Sequence, residues 1–389
     1  MRTPPLVYNF YSLLVRWPST LLTTASIGST VAVIAGVMAL QQGFASLYEL
    51  GGRDDILVFL RPGATSEGES AFPKDRARIV MMETPEILFD KAGWPMAAGE
   101  LYLAVRRAKE DGGETNVPIR GVPQTSLTLS APRLQIVEGR AFAAGRDEVM
   151  VGKSLVGRIQ HCRLGDTIRI NATGFKVVGI FSYDGPFQSE IWGDIDRLGQ
   201  VLHRPTLSRV VARARPGADV AALAKRLESD KRVPVKVMTE KEYLESQTKA
   251  ISWTLWLLGS FLAVVMGTGA VFTGTNSMLA MVAARTHEIG ILVTLGFRPV
   301  AIFSSFVMES IFLGLAGGAL GCLLVLPLHG MSTGTTNFQT FTEVAFAFQV
   351  RPIVLVTAVG LATVLGLLGG LFPAWRAASA KPVDVLRRV

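Results

Sequence analysis

The chain is expected to be a polytopic α-helical membrane protein, with four transmembrane helices and a large α/β extracytoplasmic domain between helices 1 and 2. Three observations predict this. Its 389 residues are 49% hydrophobic and only 18% charged, with a mean hydropathy of +0.37, which is too apolar for an ordinary soluble domain. Residues 17–48, 250–284 and 352–375 contain no Asp, Glu, Lys or Arg, and only Glu309, Glu343 and Arg351 interrupt the stretch between Pro299 and Pro352. Most of the charge lies between residues 43 and 250.

A spanning helix needs about 20 mostly apolar residues, and a charge at its centre costs roughly 2.5–3.5 kcal/mol. Four windows satisfy this: 20–42, 253–275, 302–326 and 353–372. The first is too long for the apolar core of a cleaved signal peptide, and no small-x-small cleavage site follows it. Lys and Arg in short flanking segments set the orientation. Arg2 and Arg16 precede helix 1, Arg285 and Arg298 lie between helices 2 and 3, and Arg376, Lys381, Arg387 and Arg388 follow helix 4. The 328–350 loop has no Lys or Arg at all. The 1–19 segment, the 276–300 loop and the 373–389 tail are therefore expected in the cytosol, and 43–250 and 328–350 outside it. The net charge of +8 is explained by these flanks without nucleic acid. Cys162 and Cys322 fall in different compartments on this topology, so no intramolecular disulfide is expected, and an exposed Cys162 would report the orientation.

The outer domain has similar edges. Near its start, residues 55–60 (DILVFL) read as a strand, 73–89 as a helix and 101–107 as a strand; near its end, 209–215, 219–229 and 233–238 repeat that order. Two βαβ-like units thus flank a mostly-β insertion at about 108–207. Within the insertion, DTIRINATGFKVVGIF (166–181) reads as a hairpin about an Asn-Ala-Thr-Gly turn. Thr239 and Glu242 form a capping box. No Pro or Gly then follows until Gly259, so one helix is expected from about 240 to 275.

Catalytic and metal signatures are weak. Val151-Gly152-Lys153-Ser154 ends like a phosphate-binding loop, but Asp147 stands where that pattern needs glycine. The four histidines are scattered, and His161–Cys162 lacks ligand spacing. No catalytic, cofactor or metal residues are therefore assigned, and an embedded enzyme is disfavoured. In the membrane, Gly317 and Gly321 in helix 3 and Gly366 and Gly370 in helix 4 have small-xxx-small spacing, which favours close helix packing. The spacing leaves open whether they pack within one chain or across a dimer. Glu309, in helix 3, is a functional candidate because intramembrane carboxylates are costly; a position near the surface, or capping of a neighbouring helix, explains it equally well. The stretch after helix 2 places Ile289, Leu292 and Leu295 at i, i+3, i+6 beside Arg285 and Glu288, and breaks at Gly296 and Pro299. It reads as an interfacial helix or as a docking element.

RTHEIGILVTLGF (285–297) resembles the R-x-x-E-I-G-x-x-x-x-L-G coupling segment of FtsX-like permeases, the superfamily that includes MacB-type exporters. EVMVGKSLVGRIQHCRLGDTIRI resembles a MacB-type periplasmic core, and FPAWRAASAKPVDVLRRV the family's Pro-x-x-x-Ala and Pro-x-x-x-Leu-Arg tail. The resemblance implies a type VII ABC system working by mechanotransmission in the cell inner membrane. Arg285, Glu288, Ile289, Gly290, Leu295 and Gly296 would then couple to an ABC ATPase, and Pro373, Ala377, Pro382, Leu386 and Arg387 would form the tail motif. No cofactor would bind this chain; ATP and Mg would sit on the separate ATPase. A second permease chain, as a homodimer, is implied, together with membrane lipid. A DevC-like stand-alone permease would add a membrane-fusion adaptor and an outer-membrane channel. Export or extraction of an amphiphilic, peptide or lipid-like substrate is the leading function. The alternative is an FtsX-like regulator of a cell-wall hydrolase or an antibiotic-sensing complex.

Overall fold

The computed structural model describes residue 15 and residues 17–49, 52–183, 185–337 and 342–379. They form two compact units, one of the described residues within 17–43, 253–331 and 347–379, the other of those within 44–252 and 332–346. Among the described residues four helices are long and apolar enough to cross a membrane: α1 (Trp17–Glu49), α6 (Glu240–Ala284), α8 (Pro299–Val325) and α9 (Pro352–Ala378). All but α8 run well past the apolar windows that mark them, because hydropathy reports the lipid-facing part and not where backbone hydrogen bonding stops.

Glycine explains how α1, α8 and α9 pack. A Cβ on Gly317 would come within 2.6 Å of Ile27 on α1, and one on Gly321 within 2.7 Å of Val31. On α9, a Cβ on Gly366 would meet the Ser310 carbonyl at 2.6 Å, and one on Gly370 would collide with the Ser310 side chain. Both glycine pairs thus serve packing within one chain, in the close-approach mode that replaces the hydrophobic effect in lipid. Ile27, Val31 and Ala35 of α1 share a buried cluster with Val325, Val354, Ala358 and Ala362. Pro373 lies inside α9 and cannot donate to the carbonyl four residues back. That carbonyl, of Gly369, accepts instead from Thr275 Oγ1 on α6 at 3.0 Å, so the helix continues to Ala378 rather than stopping at 372. In contrast, α6 leaves Trp253, Trp256, Leu257, Phe261, Val264 and Phe272 exposed. The rings of Trp253 and Trp256 stack at 5.1 Å.

The outer unit begins as a split βαβ pair. Strands β1 (Ile56–Leu60), β2 (Ala97–Ala108), β9 (Arg209–Arg213) and β10 (Lys236–Thr239) lie in the order β10-β1-β9-β2, every neighbouring pair antiparallel. Helices α2 (Lys74–Glu83) and α5 (Val220–Glu228) contribute Ala77, Val80 and Leu223 to a core with Leu57, Phe59, Val210 and Val237. Between β2 and β9 lie β3 (Glu114–Val122), α3 (Gln124–Ser130), β4 (Leu134–Gly139), β5 (Glu148–Gly152), β6 (Thr167–Ile170), β7 (Thr173–Tyr183), β8 (Ile191–Asp194) and α4 (Ile195–Val201). β6 and β7 are the hairpin about Asn171. A second core gathers Ile119, Val149, Val151, Ile168, Phe175 and Val177. The phosphate-loop-like Gly152-Lys153-Ser154 is a strand end and a short 3-10 turn. Cys162 is buried in the second core and burial pushes its thiol up to about 12. It cannot serve as the exposed topology reporter; exposed Ala172 suits that purpose.

β2 belongs to both halves. Ala97–Glu100 pair with β9, whereas Leu101–Ala108 pair with β3. At this seam sits a wholly buried charge network. Arg120 donates to both Glu67 oxygens at 2.7 Å, to both Glu190 oxygens at 2.6 and 2.8 Å, and to Glu100 at 3.1 Å. Arg209 donates to Glu100 at 2.8 Å, and Trp192 Nε1 to Glu190 at 2.7 Å. Tyr102 and Phe187 flank the Arg120 guanidinium at 5.3 and 5.1 Å. Three carboxylates thus face two guanidiniums. Burial raises the Glu190 carboxyl above its ordinary range despite Arg120; at Glu67 burial is outweighed by Arg120 and Arg209, and the carboxyl is lowered.

A carboxylate outside this network, Glu148, gives the outer domain an acid limit. Hydrogen bonds from Arg140, at 2.7 and 2.8 Å, and from the Ala143 amide, at 3.0 Å, hold Glu148 at about 2 instead of 4.5. A depressed pKa contributes stability above the ordinary value, and that stability is lost as pH falls from 4.5 towards 2. Glu148→Gln is therefore expected to flatten the melting temperature of the full chain in that window, measured in detergent across pH; a slope identical to wild type would show that the pair is inert.

Candidate coupling site

Helix α6 ends at Ala284, and α7 (Thr286–Thr294) follows after the single break at Arg285. Much of the stretch expected as a loop over 276–300 is therefore helical. The far end of α7 closes in a Schellman arrangement. Gly296 adopts φ 86, its N–H donates to Val293 O, and Phe297 N–H donates to Leu292 O, both at 3.1 Å. Only glycine takes that left-handed conformation without strain. Arg298 then caps α8, with Pro299 in its first turn, where a missing N–H costs nothing.

Arg285 turns inward. Its Nη1 donates to Glu309 Oε2 on α8 at 2.9 Å, and its Nε lies 3.9 Å from Glu288. The guanidinium sits 5.9 Å from the Phe306 ring centroid. The side chains are 7% and 1% exposed for Arg285 and Glu309, against 53% for Glu288. Glu309 lies ten residues beyond Pro299, about 15 Å along the helix. It forms a buried ion pair with Arg285, the residue at the α6–α7 break.

The stripe expected from Ile289, Leu292 and Leu295 divides. Ile289 is buried with Met278, Met281, Ile302, Phe306, Ala374 and Ala377, Leu292 is half-buried, and Leu295 is 71% exposed. Six residues at 3.6 per turn bring a side chain about 120° from its starting face, so the third member cannot share the first one's surroundings. Gly290 is buried beside Ile289. The outward face of α7 and its flank therefore presents His287, Glu288, Ile291, Thr294 and Leu295, followed by Arg298 and Val300. Of the tail residues, Pro373 and Ala377 are buried in the last turns of α9; Pro382, Leu386 and Arg387 lie outside the described residues. No group of three or more His, Cys, Asp or Glu placed to hold a metal occurs among the described residues. Two features escape the sequence reading: the pairing of Arg285 with Glu309, and the buried Arg120 network, whose members look like surface charges when read singly.

Residues 20–230 match the MacB-like periplasmic core domain, and residues 260–382 match the FtsX-like permease C-terminal region. A macrolide export ATP-binding/permease protein MacB from Chlorobium luteolum is 26% identical over 97% of this chain and 59% of its own length. One from Sodalis glossinidius is 24% identical over 94% of this chain and 58% of its own. The chain thus spans under two thirds of these relatives' length. The crystal structure of the periplasmic region of MacB from Actinobacillus actinomycetemcomitans aligns with 51% of this chain and 94% of its own at 10% identity and a TM-score of 0.37. With the periplasmic core model spanning more than half of the sequence and the permease model its second part, the chain belongs to the MacB/FtsX-like family of ABC permeases, multi-pass proteins of the inner membrane with a large extracytoplasmic domain.

Proposed function

We propose that this chain is the permease subunit of an ABC-type exporter, and that a separate ATPase docks on α7 and drives movement of the extracytoplasmic domain. The observation that carries this is the two-sided character of α7. Its inner face is fixed by Ile289, Gly290 and the buried Arg285–Glu309 pair, while its outer face exposes Glu288, Ile291 and Leu295. An apolar patch crossed by a charge is what a helix-in-groove partner recognises. Both termini and α7 are assigned to the cytosol on the distribution of Lys and Arg. The long helix α6 supports transmission, since it is continuous from Glu240 to Ala284. Its exposed apolar face suits lipid and a second copy of the chain. A membrane-fusion adaptor and an outer-membrane channel complete the proposed assembly.

The MacB relatives carry both ATP-binding and permease in their name; here ATP and Mg are placed on the partner. The substrate class is amphiphilic, peptide or lipid-like. Co-purification of the ATPase with a Glu288→Lys chain is expected to fall about tenfold, as for reversal of a charge at the rim of an interface. Unchanged capture and unchanged ATP hydrolysis would remove α7 as the docking element.

A further inference from the structure

We propose that Glu67 is the positioning residue through which the root of α6 grips both halves of the outer domain at once. This rests on the reading of α6 as the transmitting element and adds the place where the transmission is received.

The first turns of α6 are fastened. Thr239 and Glu242 exchange hydrogen bonds at 2.9 and 3.1 Å. Glu240, Tyr243, Leu244 and Gln247 are all buried, the i, i+3, i+4, i+7 spacing of one helix face. Two of these side chains hold the same short loop between β1 and α2. Tyr243 Oη accepts from the Glu67 amide at 3.2 Å, and Gln247 Nε2 donates to the Thr65 carbonyl at 2.8 Å. The Glu67 carboxylate then reaches Arg120 at 2.7 Å and Arg209 at 3.3 Å. Arg120 stands on β3 of the inserted half, opposite Tyr102, and Arg209 on β9 of the split βαβ half, opposite Glu100. One residue therefore touches the helix through its backbone and both halves of the outer domain through its side chain.

The chemistry of the network makes this a stiff joint. A carboxylate pulled from its guanidinium here would remain desolvated, so intermediate positions are strongly disfavoured. The loop and the two halves accordingly follow the helix root together.

The test is hydrogen–deuterium exchange on the full chain with its ATPase in nanodiscs, nucleotide-free and with ATP plus vanadate. In wild type, nucleotide is expected to change protection at 286–294, at 61–72, and on β3 and β9. In Tyr243→Phe/Gln247→Ala the change at 286–294 persists, while the changes at 61–72, β3 and β9 vanish. Nucleotide-free exchange on β3 and β9 stays at the wild-type level, which shows an intact fold, and the 61–72 amides exchange about fivefold faster per hydrogen bond removed. Gln247→Ala alone, the milder change, gives an intermediate response. Strands that still respond in the double variant would overturn the proposal. So would a wild type that responds at 286–294 but not at 61–72, with the docking reading left standing. A wild type silent at 286–294 overturns the docking reading, and this inference with it.

Discussion

An Arg285→Ala chain is expected to lose about 3–5 kcal/mol of stability, the usual cost of leaving one buried ion unpaired. Glu309, 1% exposed, would lose the guanidinium that donates to it at 2.9 Å. Glu309→Ala is expected to cost less. The freed guanidinium keeps Glu288 at 3.9 Å and is long enough to turn towards the exposed face of α7. The discriminating variant is Arg285→Ala/Glu309→Ala, which removes both charges and should be more stable than Arg285→Ala alone. Denaturant titration in mixed micelles of the four chains gives the coupling energy directly. Additive losses would show that the pair is incidental to the packing of α7. A coupling term of the expected size, together with loss of ATP hydrolysis by the proposed complex, would tie the orientation of the proposed docking face to this one contact.

What the sequence makes legible depends on the distance over which each signal acts. The Thr239–Glu242 capping box is readable because its partners are three residues apart and no tertiary contact is needed to form it. The glycines at 317, 321, 366 and 370 announce close packing, but only the fold shows that Ile27, Val31 and Ser310 are what they approach. Arg285 and Glu309 are each conspicuous on the sequence; their meeting depends on a helix break and a Schellman turn that reverse the chain between them. The Arg120 network is harder still. Arg120 sits in NVPIRGV, where an arginine between Ile119 and Gly121 reads as an outward-facing strand residue, and its carboxylates come from positions 67, 100 and 190. The end of α9 is hidden for a local reason: the apolar window closes at 372, just before Pro373, and Thr275, almost a hundred residues earlier, donates to the carbonyl that Pro373 leaves unpaired.

Arg120→Met is expected to be the most damaging single change in the outer domain. It leaves Glu67, Glu100 and Glu190 facing Arg209 alone, each carboxylate within a few per cent of full burial. A loss of about 3–5 kcal/mol is again the scale, a large share of the 5–15 kcal/mol that holds a typical domain together. Arg120→Lys should recover only part of it, because an ammonium is a point charge and cannot bridge two carboxylates bidentately. The pH response distinguishes electrostatics from lost packing. Without the guanidinium the buried carboxyls hold protons more tightly than in the unfolded chain, so the folded variant binds more protons and gains stability as pH falls towards the ordinary carboxylate range. Wild type, through Glu67, whose carboxyl Arg120 and Arg209 hold down against its burial, moves the opposite way; the Glu148 pair is common to both chains. Thermal melts of the two full-length chains across pH should therefore converge on acidification. A constant gap would mean that methionine fails for want of shape; converging curves would mean that the outer domain is organised around a charge it cannot solvate.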